Sequence, residues 1–191
     1  MRKSSILAAA LAIMCVTPAF SADKYVLDAS HSQVVFSYNH LGFSTSYGMF
    51  SGFEGQIMFD EGDPAASTVS IEIPTDSLIS GWDERTKHLL SQDFFTAEFS
   101  PVITFNSTSI EVTSENTANI TGDLTLNGVT KSVVLAATMN QAGEHPMAKK
   151  PWLGFSATTT LIRSEYDMGM FAPFVGDEVM LMLSIEAQKA E

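Results

Sequence analysis

The stretch ITGDLTLNGVTKSVVL, residues 120–135, decides how the chain folds. Ile120, Leu124 and Leu126 stand at even spacing before Asn127-Gly128, and Val133 and Leu135 take up the spacing again after it. A period of two sends successive side chains to opposite faces of an extended strand, so each arm reads as a strand with one buried face. Asn and Gly both tolerate the positive φ of a type I′ turn, which makes the dipeptide the tip of a two-residue hairpin. Two antiparallel strands are predicted here.

The same period runs along the chain on both sides. Val34, Phe36 and Tyr38 alternate with Gln33, Ser37 and Asn39; Met49, Phe53, Ile57 and Phe59 share a face that excludes Glu54 and Gln56. Val69, Ile71 and Ile73 follow, then Ile103 and Phe105, the hairpin arms with Met139, then Phe155, Ala157 and Leu161, and finally Val179, Leu181, Leu183 and Ile185. Turn residues at Gly62-Asp63-Pro64, Gly143 to Pro146 and Gly176-Asp177 separate them. Eight strands are predicted, mostly antiparallel. From Trp82 to Phe94 the apolar spacing lengthens to three or four, which predicts a single short helix over residues 83–91. The class is all-β, and eight such strands close as a barrel or stack as a sandwich; periodicity alone does not choose.

Residues 1–22 do not belong to this pattern. Arg2 and Lys3 precede an apolar run from Ile6 to Val16, Pro18 ends it, and Ala19-Phe20-Ser21 supplies a small-x-small cleavage site. The run is too short to span a bilayer, so residues 1–22 are expected to be a secretory signal peptide, leaving residues 23–191 as one domain with no stable membrane anchor. Cleavage removes the only cysteine, Cys15, and with it thiol chemistry and disulfides. The formal charge of the whole chain is -12, from 10 basic and 22 acidic residues. Such a field repels phosphate backbones, which excludes nucleic-acid partners.

His31, His40, His88 and His145 remain as candidate bases or ligands. They match no His-x-x-x-His spacing, so no metal site is expected, and the chain holds no Gly-x-Ser-x-Gly elbow or glycine-rich phosphate loop. Asp28, His31 and Ser32 have the residue types of a hydrolase set, yet neighbours on a strand point to opposite faces and His31 would not reach Ser32. His88 is expected to bond a neighbouring carbonyl or carboxylate such as Glu84.

Five ordered pieces carry a resemblance. Asp28-Ala-Ser-His-Ser32 with Phe36, His40-Leu-Gly-Phe43, Gly48-Met-Phe50 and Phe53-Glu-Gly55 resembles the opening of the YceI-like family. Arg85-Thr-Lys-His-Leu89 with Asp93-Phe-Phe95, Pro101 to Phe105, Gly122 to Thr130, and Gly154 to Ala157 with Val175 to Val179 continue it in order. The resemblance implies a lipocalin-like antiparallel barrel, usually periplasmic, that encloses a long isoprenoid or similar lipid, with no cofactor and no established catalytic activity. In such a barrel the lining is expected from Phe36, Tyr38, His40, Phe53, Ile57, Ile71 and Ile73; from His88, Leu89 and Phe94 at the helix; and from Ile103, Phe105, Leu124, Leu126, Phe155 and Leu161. The same aromatics would serve a filled core equally well. One departure stands out: where relatives resemble Arg-Ser-Asp-Phe-Gly, this chain reads Arg163-Ser-Glu-Tyr-Asp167, replacing a turn glycine with an aspartate. The apolar residues 168–174 after it are expected to rim the cavity or to pack on the helix. A non-covalent haem site using His and Met ligands is the alternative reading, a hydrolase with a His base the less favoured one, and a homodimer remains open.

Overall fold

The computed structural model describes residues 22–191; the expected signal peptide lies, but for Ala22, outside the described residues. Asn127 and Gly128 take φ values of 52° and 77°, and Leu126 pairs with Val129 across them, so the predicted hairpin forms as a two-residue turn. From it the sheet extends in both directions. The strands are β1 (Asp23–Leu27), β2 (Gln33–His40), β3 (Ser44–Phe50), β4 (Glu54–Phe59) and β5 (Thr68–Pro74), followed after a helix by β6 (Val102–Ser114), β7 (Thr117–Leu126), β8 (Val129–Glu144), β9 (Pro151–Ile162) and β10 (Glu178–Lys189). Every pairing is antiparallel.

Ten strands make eight staves. Strand β10 pairs with β2 from Met180 to Ser184 and with β1 at Ala187 to Lys189, so β1 and β2 lie end to end along one side of it. Strands β3 and β4 do the same on the next stave, β3 against β2 and β4 against β1. The β1–β10 contact closes the ring β1-β4-β5-β6-β7-β8-β9-β10. The expected eight-stranded barrel is therefore correct, while two of its staves are broken: the alternation from Met49 to Phe59 is interrupted at residues 51–53, where the phase shifts, so Gly48 and Phe50 take the inward face of β3 and Met49 does not share the face of Phe53 and Ile57 as expected; and β1, with buried Tyr25 and Leu27, adds a segment not predicted.

The chain between β5 and β6 carries the helix, α1 (Asp83–Leu89), two residues shorter than predicted. Asp83 and Glu84 sit in its first turn and Lys87 and His88 in its last, the arrangement the helix dipole favours. Its one buried residue, Leu89, faces the barrel interior. Just ahead of it, Ile79 bridges to Met49 through two backbone hydrogen bonds of 2.8 and 2.9 Å, tying this segment to the free edge of β3.

The barrel interior divides into two halves. Around the closing β1–β10 contact it is solid: Tyr25, Leu27, Ile57, Leu153, Ile185 and Ala187 are buried there, and Tyr25 packs edge-on against Phe59. Toward α1 and the connection between β9 and β10 it opens into a cavity. Local close approach shapes the wall on that side, because Phe36 lies flat over Gly48, its register partner: a Cβ there would come within 2.2 Å of the ring.

Candidate functional site: an apolar cavity with one polar rim

The cavity measures about 710 Å³, in the range of sites that enclose a small ligand. Its wall is built from inward-phase residues: Phe36 and Tyr38 on β2, Ile71 and Ile73 on β5, Ile103 and Phe105 on β6, Leu124 and Leu126 on β7, and Leu161 on β9. Phe53, just before β4, lines it at 1% exposure. Leu89 and Phe94 close it from α1 and the turn beyond, and His40 and His88 stand at its mouth. Fourteen of the sixteen expected lining residues thus share one space.

Ile57 and Phe155 do not. Ile57 pairs with Tyr25 across β1 and β4 and is buried in the solid half. On β9 the cavity ends at Thr159; Phe155, four residues deeper, packs on the filled core and lines a separate polar cleft. Both occupy the predicted face, but alternation reports which way a side chain points and not how far along the barrel axis it sits.

Residues outside the expected lining set complete the site. Val34, Phe50, Val133, Leu135, Val179, Leu181 and Leu183 are in the same phase of their strands. Tyr166, Met168, Phe171 and Val175 come from the connection between β9 and β10. Phe171 lies 6.4 Å from the rings of both His88 and Phe94, so this apolar stretch does rim the cavity and pack beside the helix at once. The mouth is apolar outside as well: Leu41 and Phe43 on the β2–β3 turn, Trp82 ahead of α1, and Phe171 and Phe174 are exposed, Phe43 to 89%. Leu41 donates its N–H to the Phe174 carbonyl, which holds the turn against the β9–β10 connection.

That connection is held by one cation. The Arg163 guanidinium, 7% exposed, donates from Nε to the Gly176 carbonyl, from Nη1 to those of Met168 and Met170, and from Nη2 to that of Val175. Burial lowers its pKa from the usual arginine value, and the nearby Asp177 partly opposes this. Asp167 takes φ 59° and ψ 23°, so the glycine-type turn survives with an aspartate in it. Aspartate reaches this region more readily than most residues.

The mouth histidines are polar fittings. His88 Nε2 lies 3.1 Å from Asp93 Oδ2, so its partner is Asp93 and not the expected Glu84. Both His40 and His88 are exposed, on the solvent side of the cavity. The hydrolase set is not assembled either. Ser32 is buried with its hydroxyl on the Glu186 backbone, while His31 Nδ1 faces Asp28 Oδ2 at 2.7 Å on the surface; the two residues precede β2 and so part in a turn, not on the strand expected.

Comparison with known proteins agrees with this geometry. The family model of the YceI-like domain matches residues 25–187. A UPF0312 protein of Ectopseudomonas mendocina is 40% identical over 192 residues, covering 97% of this chain and 98% of its own. The crystal structure of BcnA from Burkholderia cenocepacia superposes with a TM-score of 0.76 at 24% identity, over 84% of this chain and 98% of that one. A polyisoprenoid binding domain from Saccharophagus degradans superposes with a TM-score of 0.67 at 12% identity, over 87% and 98% of the two chains. The two structures speak for the fold, and the match along nearly the whole domain speaks for descent: this chain belongs to the YceI-like family.

Proposed function

We propose that this protein is a periplasmic carrier that sequesters one long-chain isoprenoid or similar amphiphilic lipid in the barrel, without catalysing a reaction. The observation that carries the reading is the cavity itself, walled by aliphatic and aromatic side chains and open at one end. At about 30 Å³ for a water-sized group, its 710 Å³ accommodates roughly two dozen methylene-sized groups, or about four to five isoprene units. Burying each methylene is worth about 0.8 kcal/mol, so one isoprene unit contributes about 4 kcal/mol gross before ordering costs. Few polar contacts are needed. The similarity in fold to a protein described as a polyisoprenoid binding domain supports the same ligand class, and the leader pattern of residues 1–22 supports export.

Organic extraction of the purified protein followed by mass spectrometry tests the ligand. A stoichiometric long-chain lipid is expected; protein that yields none, or that shows a Soret band in its place, refutes the reading. N-terminal sequencing tests the compartment, with a mature start near Ser21 to Asp23 expected and a cytoplasmic product beginning at Met1 against it.

A further inference from the structure

At the opposite end of the barrel from the lipid mouth, a polar cleft of about 430 Å³ is lined by His31, Glu144, His145, Trp152 and Glu186, with Asp28 beside His31. One ligand-type atom from each of Asp28, His31 and Glu186 lies within 4.8 Å of the other two. We infer that these three residues form a binding site for one divalent transition-metal ion, a class of which zinc is the redox-inert member. An imidazole with two carboxylates suits a borderline ion over magnesium or calcium, which take oxygen donors alone, and zinc stands above manganese in affinity for such sites.

The surroundings of the three side chains are those of a built site. Asp28 Oδ1 accepts from the Ser30 N–H at 2.9 Å and from the Ser30 hydroxyl at 2.6 Å, which leaves Oδ2 turned toward His31. Glu186 Oε2 accepts from the Trp152 indole N–H at 3.0 Å, which fixes that carboxylate and leaves Oε1 for a ligand. One oxygen of each carboxylate is thus held by an outer donor, the arrangement that orients metal ligands. The backbones are tied independently of those groups: Asp28 N–H donates to the Glu186 carbonyl at 2.8 Å, and the Ser32 hydroxyl accepts from the Glu186 N–H at 3.3 Å. Charge points the same way. Among the described residues no lysine or arginine lines the cleft; His31 and Glu186 line it, and the Asp28 carboxylate adjoins His31. No sequence spacing announces this set, because Glu186 arrives from β10 at the far end of the chain.

The site carries its own reporter, since Trp152 bonds one of the ligands and the only other tryptophan, Trp82, stands at the far mouth. In a Trp82→Phe background stripped with EDTA, Zn²⁺ is titrated while Trp152 emission and binding heat are followed. Saturation at one ion per chain with a change in Trp152 emission is expected, with Mg²⁺ at equal concentration failing to displace it. Glu186→Gln retains the acceptor for Trp152, and His31→Ala removes an exposed ring; each is expected to weaken binding ~10-fold or more with an unchanged circular dichroism spectrum. No saturable uptake, or equal affinity in both variants from ions held elsewhere on the acidic surface, overturns the assignment. If either variant unfolds, the other decides on the same criterion.

Discussion

Asp167 shows what one residue can cost a turn. It holds a left-handed backbone at φ 59° where the family resemblance reads glycine, and a side chain in that region is strained by about 1–2 kcal/mol, less for Asp than for most. Glycine would relieve the strain but loses some chain entropy on folding. Asp167→Gly is accordingly expected to raise stability by about 0.5–1 kcal/mol, and the β-branched Asp167→Val to lower it, both read from urea midpoints. A less stable glycine variant would show that the aspartate side chain contributes something the turn needs. That the position tolerates an aspartate was legible in the sequence. That Arg163 would hold the whole connection through four backbone carbonyls was not, because an arginine after a strand looks the same whether it faces water or turns inward.

Among the elements, the short helical turn Arg163–Tyr166 is latched to the start of β10 by Asp177. Its carboxylate accepts from the Ser164 hydroxyl at 2.6 Å and from the Ser164 N–H at 2.9 Å, and these bonds lower its pKa from the ordinary 3.8. A depressed carboxyl binds fewer protons folded than unfolded, so its contribution is complete above 3.8 and is lost as pH falls through the lower folded value. Asp177→Asn should therefore be less stable than the parent at neutral pH, with the gap closing in acid; a gap independent of pH would mean that the latch is not ionic. Elements with strong alternation, such as β7 and β8, were readable from sequence down to their turn. The β1 strand was not, since five residues hold too few periods to stand out, and neither was the shift of phase between β3, where Gly48 and Phe50 are buried, and β4, where Ile57 is, because the irregular residues 51–53 carry no period of their own.

For the molecule as a whole, the division of the barrel into a filled and an open half makes separable predictions. Ile57, 5% exposed in the solid half, should cost about 2–5 kcal/mol when cut to alanine and leave co-purified lipid per folded molecule unchanged. Ile71 lines the cavity, so Ile71→Trp should leave the fold intact and lower the lipid retained. Unfolding of the Ile71→Trp variant with normal lipid in any folded fraction would mean that the space is closed by packing in solution.

The period of two, the Asn127-Gly128 turn and the paucity of helical spacing were enough to determine an all-β antiparallel chain of eight staves, and the face on which its apolar residues stand, with Met49 the exception. These are local properties, set by backbone geometry over a few residues. Only the tertiary structure decided how deep along the barrel each inward side chain sits, which separates Ile57 and Phe155 from the fourteen that meet around the cavity. It alone brought Glu186 to Asp28 and His31. Depth and long-range meeting depend on register and closure, which arise when strands remote in sequence hydrogen-bond to one another, and no period within a strand records them.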